Sequence, residues 1–245
     1  MTFRETPPPT SLPQRVDVIN YGGGNLGSLL RALQRCQIPY RVFEGQSAGG
    51  AVSAEAFPSG AYPIVLPGVG AFGSVMQALQ DRGFVACLQQ RVQAEGVPLL
   101  GVCVGLQVLF ESSEESPNVA GLGFLKGSVK RFTTTPTHPC KIPQMGWNSF
   151  HNRQASQHTG QHTGHPPSQR VFEQEGHVYY VNSYYAHPVD ETITLYESTY
   201  GSTTFCGAVH HGNITAFQFH PEKSGELGHT LLKQWWHLVS KATVL

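Results

Sequence analysis

Several things are scarce or absent in this chain. No stretch of its 245 residues approaches the roughly 18–20 consecutive apolar residues a bilayer-spanning helix requires. The opening Met1 to Thr10 is rich in proline and lacks the apolar centre of a secretory signal. There is no excess of either charge: 16 Lys plus Arg balance 16 Asp plus Glu. A neutral chain exerts no general pull on nucleic acid or an anionic membrane, so specificity must reside in a local site. Cysteine is also sparse. Cys36, Cys87, Cys103, Cys140 and Cys206 are odd in number and form no Cys-x-x-Cys pair. That argues against a disulfide scaffold or zinc site and for a reducing, cytoplasmic setting.

What remains has the 40% hydrophobic content of an ordinary globular protein. The length suits one α/β domain or two small ones. Residues 1–15 are expected to form a disordered, Pro-rich leader, and residues 16–245 the folded domain.

The first half alternates strand and helix. Val16 to Tyr21 is expected to be a buried strand running into three glycines. From Asn25, a plausible N-cap, Leu26, Leu29, Leu30 and Leu33 recur at helical spacing. Arg41 to Glu44 and Ile64 to Leu66 are the next strands, and one amphipathic helix is expected over Ser74 to Ala94. Val97 to Val102 is a fourth strand, followed at once by a helical run through Leu106, Val108, Leu109 and Phe110. This rhythm implies right-handed crossovers and a mostly parallel sheet flanked by helices.

The second half has more strand character, at Val178 to Val181, Thr192 to Tyr196, Thr204 to Val209 and Ile214 to Phe219. A closing helix from Leu227 to Ser240 would bury Leu231, Trp235 and Leu238. Residues 151–168, with Gln157-His158-Thr159-Gly160 nearly repeated at Gln161-His162-Thr163-Gly164, read as an exposed low-complexity loop rather than a metal site.

The sharpest chemical feature is Gly101-Val102-Cys103-Val104-Gly105 between a buried strand and a helix. It is the nucleophile-elbow pattern with cysteine in the serine position. Such a turn sets the sulfur at the carboxyl end of the sheet, where a helix N-terminus favours its thiolate. The second feature is Phe217-Gln218-Phe219-His220-Pro221-Glu222. Phe217 and Phe219 alternate onto a core face. His220 arrives at the strand end, and Glu222 lies two residues on, across a rigid proline. A carboxylate so placed can fix the imidazole tautomer and stabilise its charged form. Together they supply nucleophile, base and orienting acid.

The third feature, Gly68-Val69-Gly70-Ala71-Phe72-Gly73, matches the dinucleotide fingerprint G-x-G-x-x-G. The next strand ends in Cys103 rather than a ribose-binding acid, which speaks against nucleotide binding. Backbone N–H groups of Val69 or Gly70, together with that of Val104, suit an oxyanion hole instead.

These motifs resemble those of the class I, triad-type glutamine amidotransferases. Asn20 to Leu26, Pro67 to Phe72, Gly101 to Gln107, Pro143 to Asn148, Val181 to Tyr185 and Gln218 to Ser224 follow the family's order across nearly the whole chain. Met145-Gly146-Trp147-Asn148 and the Tyr21 to Asn25 segment point to the histidine-pathway branch, the glutaminase subunits of imidazole glycerol phosphate synthase. Asn20, Gly23 and Asn182 depart from residues common in that branch.

The resemblance implies a flavodoxin-like fold of one domain, with extra antiparallel strands in the second half. It implies hydrolysis of L-glutamine by Cys103, His220 and Glu222, with no cofactor or metal. Gly68, Gln107, Ser183 and Tyr184 would hold the substrate. A (β/α)8 cyclase subunit would receive the ammonia, docking near Asn25, Trp147 and Lys223. It also implies weak activity until that partner binds its nucleotide substrate, with a flip of the glycine-flanked Val69 peptide as a suitable switch. Oxyanion donors already aligned in the isolated subunit would count against such a switch. The alternatives are a glutaminase serving another synthase (anthranilate, aminodeoxychorismate or pyridoxal phosphate), a cysteine peptidase or other hydrolase, and a non-catalytic binding module.

Overall fold

The computed structural model describes residues 15–46, 57–153 and 172–241. The leader up to residue 14 and residues 154–168 of the low-complexity segment lie outside the described residues. Arg15, assigned to the leader, is placed: its Nε meets the buried Asp17 carboxylate at 3.0 Å and its guanidinium covers the Tyr62 ring.

The strands are β1 (Val16–Ile19), β2 (Tyr40–Phe43), β3 (Ile64–Leu66), β4 (Leu99–Val102), β5 (Ser112–Ser113), β6 (Gly127–Arg131), β7 (Gln144–Asn152), β8 (Gly176–Asn182), β9 (Tyr184–Pro188), β10 (Thr194–Tyr200), β11 (Thr203–His211) and β12 (Ile214–Phe217). The helices are α1 (Leu26–Arg35), α2 (Phe72–Asp81), α3 (Phe84–Leu88), α4 (Val104–Gln107) and α5 (Gly225–Lys241).

All strands join one sheet, whose main path runs β2-β1-β3-β4-β12-β11-β10-β7-β8. From β2 to β12 every pairing is parallel; beyond β12 the path is antiparallel. The parallel strands β1, β3, β4 and β12 are buried at every position, as strands covered on both faces must be. The antiparallel part carries its own aromatic core, in which Phe219 packs against Phe150, Tyr180 and Phe217. Two consequences of this order position the site. Strand β12, last in sequence, lies beside β4, so the chain segments after them emerge side by side. The order also reverses between β1 and β3, the kind of point at whose carboxyl ends open α/β sheets place ligands.

Helix α1 forms as its spacing requires, burying Leu29, Ala32 and Leu33. Asn25 precedes it in a left-handed conformation (φ 64°) and makes no side-chain cap; its amide turns elsewhere, as described below. The single helix expected over Ser74 to Ala94 is broken. Helix α2 ends at Asp81, Gly83 takes φ 73°, and the chain restarts as α3 followed by a π-turn segment over Gln89–Ala94. Glycine at this stop permits the left-handed turn that lets Phe84 re-enter the core. Helix α4 is shorter than its apolar run because Leu109 and Phe110 bond three residues back, to Leu106 and Gln107, in tighter turns. His151 and Asn152 complete β7 rather than opening a loop. In α5 Leu231 and Trp235 are buried as expected, while Leu232 and Val239 extend that face and Leu238 is only partly covered. All five cysteines are free. Among the described residues no helix is long and apolar enough to cross a membrane.

Candidate active site

Cys103 stands between β4 and α4 with φ 55° and ψ −111°, a conformation an L-residue adopts only when its surroundings enforce it. The enforcement is visible. Its amide donates to the Phe217 carbonyl on the neighbouring β12 at 2.7 Å. On the other side, the backbone of the β3–α2 loop presses against the start of α4: a Cβ on Gly68 would overlap the Gly105 amide, and one on Gly105 would overlap the Leu66 carbonyl. Glycine at both positions is therefore a packing requirement, not a source of flexibility.

His220 follows β12 by three residues. Its amide bonds the Tyr179 carbonyl of β8 at 2.9 Å, and its carbonyl accepts from Ser224 Oγ at 2.7 Å, so the backbone beneath the ring is fixed. The ring Nδ1 lies 2.8 Å from Glu222 Oε1, with both side chains nearly buried. Burial alone would lower the imidazole pKa. Hydrogen bonds with Cys103 and Glu222, and the charges of both, outweigh it and raise the value to about 10. The two side chains that raise its pKa also hold the imidazole against the sulfur, where it can carry a proton to or from a cysteine nucleophile.

Asn25 Nδ2 donates to the same Glu222 Oε1 at 3.3 Å. The residue expected at a partner surface is therefore also a ligand of the candidate triad's carboxylate. Lys223 sits 5.7 Å above the Tyr179 ring, and Trp147 meets the same ring edge-on with centroids 5.9 Å apart. Trp147 is 57% exposed.

A cavity of about 220 Å³ opens beside Cys103; its wall includes Gly70, Val104, Gln107, Ser183 and Tyr184, together with Asn182 and Glu115. Gln107 is buried and held by the Tyr184 carbonyl (3.0 Å) and by Gln218 Oε1 (3.1 Å). Gln218 in turn directs its amide nitrogen at Cys103 Sγ, 3.8 Å away. Gly68 lies behind the elbow and is not on the cavity wall. Val104, first residue of α4, has an amide with no intrahelical partner, as an oxyanion donor requires. The Val69 amide is differently placed: it donates to the Tyr21 hydroxyl at 3.1 Å.

Glu115 is the residue that sequence reasoning missed. It follows β5 and accepts the amide of Phe72, at the start of α2, at 2.7 Å, which ties its carboxylate to the cavity rim. No local pattern separates it from its neighbour Glu114; only the fold brings it to the site.

A thiol, an imidazole and a carboxylate gathered just beyond the ends of adjacent parallel strands have the groups that cysteine-dependent acyl transfer on an α/β sheet uses. The model of the class-I glutamine amidotransferases matches residues 17–238, and the chain belongs to that family. It is 40% identical over 227 residues to the imidazole glycerol phosphate synthase subunit HisH of Deinococcus radiodurans, covering 93% of this chain and 94% of that protein. The HisH subunit of Geobacillus thermodenitrificans is 37% identical over 227 residues, covering 92% and 96%. Among solved structures, a glutamine amidotransferase superposes with a TM-score of 0.64 at 16% identity, covering 91% of this chain and 98% of that one. That last likeness speaks to the fold alone.

Proposed function

We propose that this chain is the glutaminase subunit of an imidazole glycerol phosphate synthase. It hydrolyses L-glutamine to glutamate and passes the ammonia to a (β/α)8 cyclase subunit in cytoplasmic histidine biosynthesis. The observation that carries the chemistry is the convergence of Cys103, His220 and Glu222 at the ends of β4 and β12. The HisH relatives, similar over more than nine-tenths of the chain, support the pathway.

The Cys103 thiolate attacks the side-chain amide carbon of glutamine, forming a C–S bond and a tetrahedral oxyanion received by the Val104 amide and a donor from the Gly68–Gly70 loop. His220 gives its proton to the departing nitrogen, the C–N bond breaks, and ammonia leaves. Water then adds to the γ-glutamyl thioester while His220 takes one of its protons. Cleavage of the C–S bond releases glutamate and restores the ion pair. Glu222 holds the imidazole throughout and Asn25 steadies Glu222.

Glu115 is the charged side chain among the described residues lining the cavity, and it suits the α-ammonium of glutamine. Losing one charge-assisted hydrogen bond raises KM for glutamine about 10- to 100-fold. Glu115→Gln is therefore expected to show that rise in steady-state glutamate release with kcat little changed. An unchanged KM would remove Glu115 from substrate binding.

Ammonia freed into neutral water is protonated and no longer nucleophilic, so direct transfer to a partner follows from the chemistry. The docking surface is the face carrying Asn25, Trp147 and Lys223. Half-exposed tryptophan, 57% accessible, beside Met145 at 66%, is the kind of apolar patch that a partner covers. The test is glutamate release by the chain alone and with its cyclase plus that subunit's nucleotide ligand. Activity that rises on complex formation supports the assignment; activity indifferent to the cyclase would assign the chain to another synthase.

A further inference from the structure

Besides His220, two polar groups stand at the sulfur of Cys103. The Val181 carbonyl oxygen lies 3.8 Å away, and Gln218 Nε2 is at the same distance. Their preferences are opposite. A carbonyl oxygen accepts the proton of a thiol and repels a thiolate, whereas an amide N–H favours the charged sulfur.

The direction of the Gln218 amide is set by its neighbours. Gln107 bonds the Tyr184 carbonyl at 3.0 Å, and a carbonyl can only accept, so the Gln107 atom there is its nitrogen. The same nitrogen donates to Gln218 at 3.1 Å, which requires the Gln218 oxygen on that side. The Gln218 nitrogen is therefore turned to the sulfur. Phe217 and Phe219 stack on each other with centroids 4.9 Å apart, and the intervening Gln218 points the other way, fully buried. Gln218 is not on the wall of the cavity that Cys103 and Gln107 line. Its N–H thus reaches the nucleophile without facing the substrate.

We propose that Gln218 is a further catalytic residue, whose amide N–H receives the sulfur as it leaves the γ-glutamyl thioester. The inference rests on the glutaminase assignment above. In deacylation water forms a C–O bond and gives a proton to His220; the C–S bond then breaks and its electron pair passes to Sγ. His220 is occupied with the water proton in this half, so the sulfur departs as an anion. Cys103 is only 3% exposed, which leaves solvent little part in stabilising that charge. In acylation the charge moves off the sulfur instead, so the same N–H assists the second half of the reaction selectively. A glutamine serving only to hold Gln107 would have a different signature on removal: weaker substrate binding and an unaltered thioester.

The test uses Gln218→Met in the complex with the cyclase and its nucleotide ligand. Methionine has nearly the same shape and no N–H, and Gln107 keeps its bond to Tyr184. After loading with glutamine and rapid dilution, acid quenches follow the γ-glutamyl adduct on Cys103. A hydrogen bond to a charged group is worth roughly 10- to 100-fold, and sulfur is a weak acceptor. Decay of the adduct is therefore expected to slow about tenfold, with kcat falling by more than kcat/KM and more of Cys103 acylated at saturating glutamine. Gln218→Leu replaces methionine if that variant does not fold. A folded variant whose adduct decays at the wild-type rate overturns the role of Gln218 alone, and a rise in KM beside that unchanged decay assigns it to Gln107. A wild-type complex with neither adduct nor glutaminase activity overturns the functional assignment, and the role of Gln218 with it.

Discussion

Cys103→Ala is expected to abolish glutamate release from the complex, by on the order of 10⁵-fold or more, because the nucleophile of a covalent mechanism has no substitute nearby. Gln218 and Gln107, the buried polar neighbours on that side, are amides and neither is nucleophilic. The alanine variant should fold: Cys103 owes its φ of 55° to backbone contacts with β12 and the Gly68 loop, not to its sulfur. Cyclisation supplied with external ammonia should therefore survive in the complex while the glutamine-dependent reaction is lost. Loss of both would mean that the substitution damages docking or folding. Retention of glutamine-dependent activity would remove Cys103 from the chemistry.

Glu222→Gln is the second large effect. The amide is isosteric but uncharged, so His220 loses one of the interactions that raise its pKa to about 10 and a partner that fixes its tautomer. In serine triads the comparable change costs roughly 10⁴ in turnover; a thiol needs less help to ionise, so a loss on the order of 10³ is expected here. The alkaline limb of the kcat profile should move to lower pH, since an imidazolium with one fewer anionic neighbour gives up its proton sooner. Both readouts come from one pH series of glutamate release. A loss below about tenfold would reduce Glu222 to a structural role.

The elbow and the His-Pro-Glu turn were legible because each is a local pattern whose chemistry depends on residues within a short span. Their convergence was not, since Cys103 and His220 are far apart in sequence and meet only because β12 returns to pair with β4. Family order supplied that link. Strands β3 and β4 read clearly as continuous apolar runs, whereas helix length did not: Gly83 and the tight turns after Gln107 stop helices whose periodicity continues. Asn25 has the composition of a cap, but its side chain bonds Glu222, a competition between local and tertiary partners that spacing cannot resolve. Glu115 carries no motif. The relation of Tyr21 to Val69 depends on a missing Cβ at Gly23, an effect that exists only once two loops are folded against each other.

The most direct test of the central claim is an acid quench of the complex during glutamine turnover, followed by peptide mass analysis. A γ-glutamyl adduct on the peptide containing Cys103, absent without glutamine and increased when deacylation is slowed, is the expected result. Rapid turnover with no adduct on Cys103 under any quench, or an adduct on another cysteine, would contradict it.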